Sequence, residues 1–110
     1  MSSERITSLS SGMGLEWSKL TIRIPPELRA YEHDMRRMFD AMIYKLRKNA
    51  HKGKWEHGRV IEYMNHLREE VTELSNAIEE GKNTVEIILE AADVANMALI
   101  LCAMAIDGRE

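Results

Sequence analysis

Between Thr84 and Ile106 nearly every residue is apolar, yet Glu86, Glu90, Asp93 and Asn96 interrupt the run at intervals of four, three and three. Those intervals are helical. At about 100° per residue the three acids share one face, Asn96 lies at its edge, and Val, Ile, Leu, Ala and Met fill the rest. Asn83 is placed to cap this helix, with Glu86 three residues on reaching back toward it. A helix so apolar is expected to be buried nearly all round, so its stripe of acid requires an explanation.

The rest of the chain supports a helical fold. Of its 110 residues 45% are hydrophobic and only 5% aromatic, with eight methionines, a balance that suits packed helices better than a β-sandwich. The length suits one domain. A formal net charge of -3 offers no general attraction for a polyanion, so bulk nucleic-acid binding is not expected. Cys102 is the single cysteine, which excludes an intrachain disulfide and a cysteine-rich zinc site; it is expected to be a small core residue. No secretory signal is visible at the start, and the most apolar run, Val94 to Ile106, falls short of the roughly 20 residues that cross a bilayer. A cytoplasmic location without membrane association is the expectation.

Residues 1–24 are expected to form a mobile, Ser- and Gly-rich segment followed by an extended arm, "LTIRI" at Leu20 to Ile24, and residues 25–110 a helical domain. Pro26 suits the first turn of a helix from about Glu27 to Ala50 that carries Leu28, Tyr31, Met35, Met38, Phe39, Met42 and Leu46 on one stripe. Gly53 and Gly58 break the pattern around Lys48, Lys52, Lys54 and Trp55. A second helix follows, with Val60, Met64, Leu67, Val71, Leu74 and Ile78 along a bundle seam and Gly81 as its stop. The short connection to the third helix predicts an antiparallel hairpin.

That hairpin places Glu70 and Glu73, at the border of the second helix's seam, opposite Glu90 and Asp93. Four carboxylates converging in a partly buried space repel one another and lose hydration, at a cost of several kcal/mol unless a proton or a cation compensates. Mg²⁺ suits the site, because it takes hard oxygen ligands and commonly bridges a few carboxylates to phosphates. The structural alternative is a salt-bridge network with Lys or Arg from the first helix. His66 shares a face with Glu70 and Glu73, but a surface position is favoured for it, as for His51 and His57. No Gly-rich phosphate loop and no nucleophilic triad is present.

With "EEVTEL" at Glu69 to Leu74 and "EAADV" at Glu90 to Val94, an ExxE followed on the next helix by an ExxD, the chain resembles the all-α nucleoside triphosphate pyrophosphohydrolase superfamily, in its MazG-like branch. The resemblance spans roughly Met35 to Ile106. The third helix is apolar on more faces than the first two helices can cover, so a homodimer or homotetramer is expected; the resemblance implies the same assembly of an all-α helical bundle, with "LTIRI" as an arm reaching a partner. It implies a site in which Glu70, Glu73, Glu90 and Asp93 hold Mg²⁺, Mn²⁺ being a possible substitute. The implied reaction is hydrolysis of a nucleoside triphosphate between the α and β phosphates, with Glu70 or Glu73 orienting or deprotonating the water. Lys52, Lys54, Trp55 and Asn96 become candidate substrate contacts, although a lysine-rich loop and a core asparagine satisfied by a neighbouring helix explain the same residues. Phosphoribosyl-ATP pyrophosphohydrolase, the competing assignment within the superfamily, usually has a Tyr-His pair after the ExxD; here the continuation is "DVANMALI", which favours a role in the nucleotide pool. A non-catalytic helical interaction module that kept the fold is the alternative of a different class.

Overall fold

The computed structural model describes residues 5–8, 21–50 and 58–110, and among them the protein is predominantly helical. Strand β1 (Arg5–Ser8) pairs antiparallel with β2 (Thr21–Ile24), Arg5 standing opposite Ile24 and Ser8 opposite Thr21. The extended arm is therefore half of a two-stranded ribbon. Its other half, residues 5–8, falls in the segment expected to be mobile. Ile24, 1% exposed, anchors the ribbon in the core.

Pro25 and Pro26 introduce a 3₁₀ turn over Pro26–Tyr31, and α1 begins only at Glu32, ending at Lys48. The tighter 3₁₀ winding breaks the phase of the stripe read as one continuous helix. Leu28 and Tyr31 consequently lie exposed, as does Leu46, while Asp40 and Ala41 are buried. Helix α2 spans Val60–Glu79 and α3 Thr84–Ile106.

Both later helices end in the same way. Gly81 and Gly108 take φ of +68° and +70°, a left-handed conformation that a side chain would strain. The following residues, Lys82 and Arg109, donate their N–H groups back to the carbonyls of Ala77 and Met104, at 3.0 and 2.9 Å. This is the Schellman arrangement, and Gly81 is the stop expected from the sequence. At the other end of α3, Asn83 Oδ1 accepts from the Glu86 N–H at 2.9 Å, as expected. The first turn of α2 lacks a side-chain cap; instead the Val60 N–H donates to the Glu110 carbonyl, and Arg109 Nη2 donates to the Gly58 carbonyl at 2.6 Å. The C-terminal residues thus tie the start of α2 to the end of α3. Gly58 leaves room for the Tyr63 ring, which a Cβ there would strike.

Helix α3 packs against α2 and α1, and its buried residues Ala92, Asn96, Ile100 and Met104 form a stripe of four-residue steps. Two expectations change for that reason. Cys102, about half a turn from Ile100, is exposed instead of core; and Val71 and Ile78 of the α2 seam are 48% and 58% exposed. Val94 to Ile106 alone is too short to cross a membrane, but the full 23-residue helix is long and apolar enough by length and composition.

Candidate metal centre

Residues equidistant from the Gly81–Lys82 turn face one another across the α2–α3 hairpin, which sets Glu70 against Asp93 and Glu73 against Glu90. Carboxylate oxygens of Glu70, Glu90 and Asp93 all lie within 4.8 Å of one another. Glu73 stands beside this triad with its side chain exposed, in hydrogen-bonding reach of both Glu70 and Glu90. Two carboxylates bond only through a shared proton, so these contacts favour protonation.

The electrostatic consequences follow the geometry. Burial first, then the hydrogen bond with Glu73 and the charges of Asp93, Glu73 and Glu90, push the Glu70 carboxyl from 4.5 up to about 7. Glu90 is raised by burial and by the charges of Glu73 and Asp93, against the opposing pull of Lys45. Glu70 Oε2 and Glu90 Oε2 are buried and have no hydrogen-bond partner among the described residues. A buried carboxylate oxygen without a donor is costly, and a hard cation is the ligand that both oxygens fit. Glu70, Glu90 and Asp93 could together hold a hard cation, with Glu73 at the rim.

Lys45, not singled out in the sequence, belongs to this site. Its Nζ lies 3.1 Å from Asp93 Oδ2, with each side chain 18% exposed. The contact is the ion pair from the first helix that the structural alternative required. It was findable: Lys45 follows Met38 by seven residues and Met42 by three, on the stripe of α1 that faces the bundle. Asn96, a candidate substrate contact, is 4% exposed and donates from Nδ2 to the Met42 carbonyl at 3.1 Å, while its Oδ1 has no partner among the described residues. It fixes α3 to α1, the arrangement of a core asparagine. The two contacts run Met42 to Lys45 along one helix and Asn96 to Asp93 along the other, so α1 and α3 are antiparallel here.

An open cleft of about 370 Å³ adjoins the cluster, lined among others by Lys45, Glu73, Lys82, Glu86 and Glu90. His66 is at the surface, 3.5 Å from Glu69, and takes no part. Lys52, Lys54 and Trp55, like His51 and His57, lie outside the described residues. Comparison of the chain with known protein families, with curated proteins and with solved structures finds no match.

Proposed function

We propose that the protein is a Mg²⁺-dependent nucleoside triphosphate pyrophosphohydrolase, cleaving between the α and β phosphates to a nucleoside monophosphate and pyrophosphate. The observation that carries this reading is the convergence of Glu70, Glu90 and Asp93 within 4.8 Å, two of them with buried, unpartnered oxygens. When bound, the metal supplies neutralisation of the polyphosphate charge and polarisation of the phosphoryl oxygen under attack. Glu73 is close to the triad yet outside it, which suits it to orient an attacking water and accept its proton. Water's oxygen forms the new bond to the α phosphorus, and pyrophosphate departs. The cleft wall carries more acid than base, so an anion enters favourably only with a cation.

Exposed apolar side chains on α2 and α3, among them Val71, Ile78 and Leu99, support a homodimer or homotetramer in which those faces pack together. The same packing would cover a helix otherwise suited to a bilayer, which supports a cytoplasmic protein. A panel of canonical and damaged nucleoside triphosphates, with phosphoribosyl-ATP included, assayed for pyrophosphate with Mg²⁺ or Mn²⁺, tests the activity. Monophosphate from at least one triphosphate, lost in Glu70→Gln, is the expected result; inertness toward every compound sinks the enzyme reading. The Lys45–Asp93 pair supports a second reading, a non-catalytic helical module in which the acids are structural. That reading expects no response of stability to Mg²⁺.

A further inference from the structure

We propose that Lys45 is a resident counter-cation: it holds Asp93 in the metal-free protein, yields it to a divalent cation at a penalty, and is partnered again by an anionic ligand that arrives with the metal. The inference rests on the carboxylate site above and assigns Lys45 a role in coupling its two ligands. Lys45 Nζ, 3.1 Å from Asp93 Oδ2, already occupies one oxygen of a residue in the triad. A divalent ion on Glu70, Glu90 and Asp93 would stand close to that ammonium, and like charges at such range disfavour each other. Even with the screening of bulk water, a unit charge and a double charge about 5 Å apart weaken binding on the order of tenfold. Metal alone is thus held back by Lys45, and an anion alone by Glu73, Glu86 and Glu90 on the cleft wall.

The local architecture permits Lys45 to move without the helices moving. Asn96 grips the Met42 carbonyl one turn away and fixes α1 against α3. The lysine stem is flexible, and Lys45 lines the open cleft into which its head can turn. There an anionic phosphate offers the ammonium a new partner, so each ligand relieves the penalty on the other. Reciprocity of binding free energies makes the effect equal in both directions.

The test uses the full chain and Mn²⁺, with free metal followed by electron paramagnetic resonance, for wild type, Lys45→Met and Lys45→Arg. Lys45→Met is expected to bind Mn²⁺ alone about tenfold or more tightly than wild type, while Lys45→Arg stays near wild type. Inorganic pyrophosphate, referenced to the same titration without protein, should strengthen Mn²⁺ binding to wild type more than to Lys45→Met. Amine acetylation of wild type, read by mass spectrometry at Lys45, should be slow without metal, faster with Mn²⁺, and slow again with Mn²⁺ and pyrophosphate. Equal or weaker Mn²⁺ binding by a folded Lys45→Met overturns the proposal, and so does Lys45 reactivity that saturating Mn²⁺ leaves unchanged; the labelling decides alone if that variant does not fold. Absence of Mn²⁺ binding to wild type and Lys45→Met alike overturns the carboxylate site itself and this role with it.

Discussion

Replacing Glu70 by glutamine should make the metal-free protein more stable, and only above a definite pH. The folded carboxyl titrates near 7 and the ordinary value is 4.5, so the folded state holds its proton more tightly than the unfolded chain does. The sign follows by linkage: wild type keeps its full stability below about 4.5 and loses part of it as pH rises through about 7. An interval of that width corresponds to roughly 3 kcal/mol, which solvent reaching this half-buried site reduces to about 1–2 kcal/mol. Glutamine preserves the shape, cannot ionise, and can donate to Glu73.

Urea denaturation at pH 5 and pH 8, in chelator and at one protein concentration, measures the effect. Wild type should lose about 1–2 kcal/mol between the two conditions through this group, and Glu70→Gln should lose correspondingly less. At pH 8 the variant should be the more stable by a similar amount, a rise in Tm of roughly 4–8 °C for each kcal/mol. Saturating Mg²⁺ should reverse the order, since a ligand that binds only the folded state adds about 2.7 kcal/mol at a hundredfold excess over Kd, and Glu70→Gln forfeits most of that gain. A variant destabilised equally at both pH values, with wild type indifferent to Mg²⁺, would refute the reasoning.

Asp93→Asn should behave oppositely to Glu70→Gln without metal, losing about 1.5–3 kcal/mol by urea titration because Lys45 is left unpaired. Asn96→Ala removes the bond to the Met42 carbonyl and should cost about 1–3 kcal/mol by urea titration. Asn83→Ala deletes the cap of α3 and should cost about 1 kcal/mol in a thermal melt, without change in Mn²⁺ affinity. Sedimentation velocity at micromolar concentration should show a dimer or tetramer that Ile78→Lys weakens; a monomer would leave the apolar faces of α2 and α3 unaccounted for.

The helices were legible in the sequence where their ends carry chemistry of their own. Asn83 with Glu86 marks the start of α3 and Gly81 the end of α2, and both act through short-range bonds that need no partner helix. The start of α2 was legible only as a break at Gly58, because its first turn is held by Arg109 and Glu110, contacts across the whole hairpin. Burial was read less well. A stripe of apolar residues states which face seeks cover but not how much a single chain provides, so Val71, Ile78 and Cys102 were expected inside and lie exposed. In α1 the 3₁₀ turn shifted the phase, and Asp40 took a buried position that hydropathy would give to an apolar residue.

The carboxylate site was legible for a reason peculiar to hairpins: once the turn is placed, the facing pairs follow from counting outward from it, and Glu70 must meet Asp93. What counting along one hairpin cannot supply is the third element. Lys45 arrives from α1 through a connection that includes residues outside the described ones, and its contact with Asp93 makes the four acids unequal. Asp93 has a cation beside it and serves the fold as it stands. Glu70 and Glu90 bury oxygens with no donor among the described residues, and they carry the cost of the arrangement. A salt-bridge network alone leaves those two buried oxygens without a donor among the described residues, and that is the physical reason to expect a cation or a proton beside them.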